Sequence, residues 1–169
     1  MQMLSDKKTA VAVLMGSAGD MTVMQACINT LQAFDIEPLV RVMSAHRTPD
    51  AVSEFAANAA AEGIKVIIAA AGMAAHLAGA LAARTSLPVI GVPLAAEAGL
   101  HGLDALLSTV QMPAGVPVAT VAIGTAGAKN AAILAVQILA LADTTLAEKL
   151  TNFKKQQTKK ATQKNPHTH

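Results

Sequence analysis

At 169 residues the chain suits one domain, long enough to bury a single core and too short for two of ordinary size. Its 53% hydrophobic content rests on Ala, Val, Ile and Leu, with three Phe and neither Trp nor Tyr, which argues against aromatic stacking platforms for single-stranded nucleic acid. The net charge of +2 is uneven: residues 1–142 carry seven Lys or Arg against nine Asp or Glu, residues 143–169 six Lys against two acids.

The basic character therefore belongs to the tail, where Lys149, Lys154, Lys155, Lys159, Lys160 and Lys164 are expected on a solvated face. Cys27 is the only cysteine, so no intrachain disulfide can form, which fits a reducing compartment. It falls in an apolar helical pattern and is read as core. Residues 1–9 lack the apolar core of a signal peptide, and no apolar run reaches spanning length without Gly, Pro or charge. A cytoplasmic protein with no membrane segment is expected.

Residues 10–15 form a strand-length apolar run, and Gly16-Ser17-Ala18-Gly19-Asp20 turns it into a helical pattern through Met24, Ile28 and Leu31. A second buried strand, ending at Met43, leads into the loop Ser44–Pro49 and a helix carrying Val52, Phe55, Ala56 and Ala59, which Gly63 ends. Residues 65–71 make a third strand, followed by Gly72 to Leu77 and an Ala-rich helix ending near Arg84. Residues 88–93 are a fourth, short strand; Leu94 to Gly102 is a loop opening a helix through Leu103, Leu106, Leu107 and Val110. Residues 117–123 are the fifth strand, and Gly124-Thr125-Ala126-Gly127 turns into a helix from about 128 to 142.

Doubly buried strands alternating with helices predict an α/β fold: a three-layer α/β/α sandwich on a five-stranded parallel sheet, flavodoxin-like or Rossmann-like. An extra C-terminal helix, about 144–160, keeps its apolar spacing in Leu146, Leu150 and Phe153 and would pack on a neighbouring subunit or on its own domain. Residues 1–160 are thus one domain, and 161–169 are expected to be a disordered tail. All the strand-to-helix loops emerge on one sheet edge, so 16–20, 44–49, 72–77, 91–102 and 124–127 can converge there.

Ser44-Ala45-His46-Arg47-Thr48-Pro49-Asp50 gathers a hydroxyl, an imidazole and a guanidinium at the carboxyl end of a strand, where ligands bind in open α/β sheets. Thr48, Pro49 and Asp50 supply a capping hydroxyl, a first-turn proline and an early carboxylate. Each residue also has an ordinary reading: Ser44 caps, Arg47 pairs with Asp50. Gly16 to Asp20 feeds a helix amino terminus, where free N–H groups favour an anion such as phosphate, though it has neither a Walker loop nor a dinucleotide fingerprint. Gly72 to His76 repeats the design with a second histidine; His101 with Glu97 is read as a surface pair. No histidine has zinc-ligand spacing, so no metal site is expected. Together these residues suggest a phosphorylated small molecule held by Ser17, Asp20 and Arg47 with a histidine over its reactive part.

Leu14-Met15-Gly16-Ser17, Ser44-Ala45-His46-Arg47-Thr48-Pro49, Ala74-Ala75-His76-Leu77, Gly91-Val92-Pro93 and Val110-Gln111-Met112-Pro113 with Gly115-Val116-Pro117-Val118 resemble the N5-carboxyaminoimidazole ribonucleotide mutase family of purine biosynthesis. The match runs in order from about residue 10 to 155. The resemblance implies a cofactor-free isomerase that moves a carboxylate from the exocyclic nitrogen of an aminoimidazole ribonucleotide to ring carbon C4. It implies His46 as general acid and base, Ser17, Asp20 and Arg47 on the ribose phosphate with Ser44 beside them, and Ala74, His76 and Leu77 on a loop closing over the base. It further implies a homo-octamer with shared sites, and a functional link to the ATP-dependent carboxylating enzyme that makes the substrate.

The chain departs from the family pattern at Gly19, where a second Ser is usual, and at Met73 and Ala78, where Gly and Pro are usual. Ala70 and Ala105 stand where Gly and Ser are common. Two alternatives remain at this level: a direct aminoimidazole ribonucleotide carboxylase using CO2, and a catalytically weak ribonucleotide-binding paralogue.

Overall fold

The structure, a computed structural model, describes residues 9–163. Five strands, β1 (Val11–Met15), β2 (Leu39–Val42), β3 (Val66–Gly72), β4 (Val89–Leu94) and β5 (Ala119–Thr120), form one parallel sheet in the order β2-β1-β3-β4-β5. Six helices connect and close it: α1 (Met21–Gln32), α2 (Pro49–Asn58), α3 (Leu77–Ala82), α4 (Leu103–Val110), α5 (Gly124–Ala140) and α6 (Thr144–Gln163). This is the flavodoxin-like winding, whose direction reverses between β1 and β3, and a crevice opens beyond the strand ends at such a reversal.

Strand alternation sorts the core into two layers. Val11, Val13 and Met15 of β1 face α1 and α5, where Met24, Cys27, Ala131 and Ala135 meet them. Ala12 and Leu14 face α2 and α3, against Val52, Phe55 and Leu81. Cys27 is fully buried, and burial pushes its thiol up to about 12, so it serves as a small apolar side chain and not as a nucleophile. Helix α4 lies so close to β4 that a Cβ on Gly91 would stand 2.3 Å from the Thr109 methyl; only glycine fits there.

Four expectations about the strands and their connections are corrected. β2 is not doubly buried: it is the sheet edge, and Val42 is 50% exposed. β5 is only two residues long. The Val121 N–H reaches the Gly91 carbonyl, but the next β4 position on that side is Pro93, which has no N–H to continue the ladder. Gly124 to Gly127 is not a loop but the first turn of α5, so it stays out of the sheet-edge crevice. Helix α2 ends at Asn58, although turns carry the chain on to Gly63, whose φ of +96° lets the Ile64 N–H close back on the Ala59 carbonyl.

Helix α6 starts on Asp143, whose Oδ1 accepts from the N–H groups of Thr145 and Leu146. Its stripe packs on its own domain: Leu146 is buried in the α1–α5 layer, and the Phe153 ring meets Phe34 edge-on at 5.5 Å. Lys149 is not merely solvated, since it pairs with Asp35, whereas Lys154, Lys155, Lys159 and Lys160 are exposed as expected. Residues 161–163, expected in the tail, continue the helix, and the rest of that tail, 164–169 with Lys164, lies outside the described residues, as do residues 1–8. Among the described residues no helix is long and apolar enough to cross a membrane.

Candidate active site

A cavity of about 530 Å³ opens at the carboxyl ends of β1, β2 and β3, at the point where the winding reverses. All eight residues singled out from the sequence line it: Ser17, Asp20, Ser44, His46, Arg47, Ala74, His76 and Leu77. Ala96 alone comes from the 91–102 loop. His101 is exposed, and among the described residues it forms no ion pair with Glu97.

The loop after β2 is tied internally and to its neighbour. Thr48 does not cap α2. Its hydroxyl accepts from the Ser44 N–H and donates to the Ser44 carbonyl, both at 3.0 Å, which clasps the loop shut. Ser44 Oγ accepts from the Arg47 N–H at 3.2 Å. Arg47 does not pair with Asp50; its Nη2 donates to the Gly16 carbonyl at 3.2 Å, joining the β2 loop to the β1 loop. A guanidinium has five donors, so most of the Arg47 fork remains for a ligand.

The β1 loop is a one-turn 3-10 helix leading into α1. Ser17 Oγ accepts from the Gly19 N–H at 3.3 Å, and the Asp20 carboxylate accepts from the Ser17 N–H at 2.9 Å. The Gly19 amide thus remains useful without a serine side chain. Burial pushes the Asp20 carboxyl up from its ordinary value of 3.8, and the Ser17 N–H draws it partly back.

Facing them, the β3 loop brings His76 Nδ1 within 2.7 Å of His46 Nε2, with the rings edge-to-face at 79°. One nitrogen of that pair must donate and the other accept, so the contact links the tautomers of both rings. The nitrogens left over, His46 Nδ1 and His76 Nε2, are linked to it through each ring. No group of three or more His, Cys, Asp or Glu among the described residues is arranged to hold a metal ion.

Met73, named from the sequence only as a departure from the family pattern, also lines the cavity. It has φ +53°, in the left-handed region that a side chain ordinarily avoids. The signal was its place in an otherwise Gly- and Ala-rich turn. Ala70, Ala78 and Ala105, three of the other departures, are buried in the core and stand away from the cavity lining.

A parallel doubly wound sheet with an imidazole pair, an anion-type helix start and a guanidinium at its switch point defines a ligand-binding α/β enzyme fold. The family described as AIR carboxylase matches residues 10–160, and the chain belongs to it. It is 56% identical to the N5-carboxyaminoimidazole ribonucleotide mutase of Brucella melitensis, covering 88% of this chain and 91% of that one. Identity to the mutase of Escherichia coli K12 is 51%, covering 88% and 87%. The crystal structure of Treponema denticola PurE superposes with a TM-score of 0.82 at 29% identity, covering 91% of this chain and 94% of that chain.

Proposed function

We propose that the protein is an N5-carboxyaminoimidazole ribonucleotide mutase, an isomerase of purine biosynthesis that converts its substrate to 4-carboxy-5-aminoimidazole ribonucleotide. The observation that carries this reading is His46 held on a clasped loop, opposite a second histidine, in the cavity where Ser17, Asp20 and Arg47 converge. Relatives at 51–56% identity share the mutase name, so the direct carboxylase is not favoured.

In this mechanism the phosphate sits against Arg47 and the Ser17 turn, with Ser44 beside it, and Asp20 accepts from the ribose hydroxyls. The N–C bond of the carbamate breaks, its electron pair stays on nitrogen, and His46 supplies the proton that neutralises it. The ring carbon C4 then attacks the released CO2, and His46 takes the C4 proton to restore the aromatic ring. The proton lent in the first half is recovered in the second, so neither cofactor nor metal is consumed. The loop of Ala74, His76 and Leu77 closes over the base and keeps CO2 from water.

The same reading extends to a cytoplasmic homo-octamer, functionally linked to the ATP-dependent carboxylating enzyme that makes its substrate. The half-exposed apolar row Leu103, Leu107 and Val110 on α4 supports a self-association surface. Light scattering should give eight times the chain mass.

The decisive assay follows the two carboxylated ribonucleotides with purified protein, without ATP or metal, with and without bicarbonate. Bicarbonate-independent interconversion is expected. Turnover only from the uncarboxylated ribonucleotide plus CO2 would restore the carboxylase, and binding without turnover would restore the paralogue.

A further inference from the structure

Met73 is the one large apolar side chain that the cavity lining leaves exposed, at 49%, while Leu77 beside it is buried. Its left-handed backbone follows from its neighbours. A Cβ on Gly72 would stand 3.3 Å from both the Ala96 Cβ and the Leu94 carbonyl, so the chain passes close beneath the β4 loop. It then turns sharply at residue 73, with the Ala75 N–H on the Met73 carbonyl and the His76 N–H on the Ala74 carbonyl, each at 2.8 Å. A residue with a Cβ resists that conformation, and here it persists at the rim of a ligand cavity.

The strand order fixes which part of a ligand lies near it. The β1 and β2 loops, with Ser17 and Arg47, occupy one end; the β3 and β4 loops, with Met73 and Ala96, occupy the other. Apart from the polar His76, the other lining residues on the second end are Ala, Gly and the buried Leu77, so Met73 is the large apolar side chain with free area to lay against a flat heterocycle there. A thioether is polarisable, flexible and well matched to an aromatic face.

Building on the mutase reading, we propose that Met73 is a positioning residue that covers the aminoimidazole ring of the bound ribonucleotide and leaves its ribose phosphate untouched. It adds contact area to the ring throughout turnover, without taking part in proton transfer.

The test compares wild type, Met73→Ala and Met73→Leu in binding 5-aminoimidazole ribonucleotide and ribose 5-phosphate, together with steady-state kinetics. Met73→Ala keeps the Cβ and its backbone strain but loses the cover. It should weaken the ribonucleotide roughly 5- to 10-fold, in the upper part of what a sulfur–aromatic contact supplies, and ribose 5-phosphate by less than about twofold. KM should rise with the loss while kcat moves far less, and Met73→Leu, which restores the apolar area without the sulfur, should recover part of the affinity. Unchanged ribonucleotide affinity in Met73→Ala would overturn the proposal, and so would equal losses for both ligands, which would mark a purely structural role. A wild-type protein that binds ribose 5-phosphate but no better with the ring attached would overturn the mutase reading and this inference together.

Discussion

The loops after β2 and β3 face each other across one cavity and are built on opposite plans. The β2 loop is tied by side chains: the Thr48 hydroxyl clasps both polar groups of the Ser44 backbone, Ser44 Oγ takes the Arg47 N–H, and Arg47 reaches to Gly16. The β3 loop has no such ties to its own backbone. It turns on two short backbone bonds and a left-handed Met73, and its polar contact with the opposite wall is His76 on His46. On the proposed mechanism this is a division of labour: the β2 loop would hold the proton-transfer group still, and the β3 loop would adapt to the ligand.

The comparison is broken most severely at His46. His46→Asn should keep ribonucleotide affinity within about tenfold and lower the interconversion rate by roughly 10²–10⁴, the contribution of a general acid–base group. Near-normal turnover would remove His46 from the mechanism. Thr48→Val opens the clasp without touching the ligand, and misplacing a catalytic group should then cost about tenfold in kcat/KM. A smaller loss than that would mean the hydroxyl ties are decorative.

His76→Asn sharpens the contrast from the other side. An adaptive loop tolerates the exchange, so kcat should fall only a few-fold, roughly 1 kcal/mol or less of barrier, and a collapse comparable to His46→Asn would place both rings in the chemistry. Asp20→Asn tests the platform beneath both loops. Burial raises the Asp20 pKa in the folded protein, so the native state holds that proton more tightly than the unfolded chain and loses stability as pH rises through the raised value. The amide still accepts from the Ser17 N–H and carries no charge. The thermal midpoint of Asp20→Asn should therefore exceed wild type near pH 7 and converge with it below 3.8; a constant gap would assign the effect to packing.

Much of this was legible in the chain because each central strand is an apolar run and each helix has its own period. The Ser44–Arg47 cluster was legible because strand ends on one edge of a parallel sheet are where side chains converge. What escaped depended on contacts distant in sequence. Thr48 before Pro49 has the local signature of a cap, and only the folded loop shows its hydroxyl turned back on Ser44. Gly124 and Gly127 suggested a loop, yet Gly127 lies where a Cβ would strike the Ala122 carbonyl at 1.6 Å, so the helix begins early and tight. Pro93 shortens β5 from a neighbouring strand. Met73 takes its conformation from the approach of Gly72 to β4, which no local pattern encodes.

The most direct test of a clasped acid–base loop beneath an enclosing one is the fate of the carboxylate. Turnover of unlabelled substrate in ¹³C-bicarbonate buffer, read by mass spectrometry of the early product, should give a carboxylate that carries no label, because CO2 released in the closed cavity is recaptured before it escapes. Label at the level of the buffer in the first product formed would contradict the account, since the carboxylate would then come from solution.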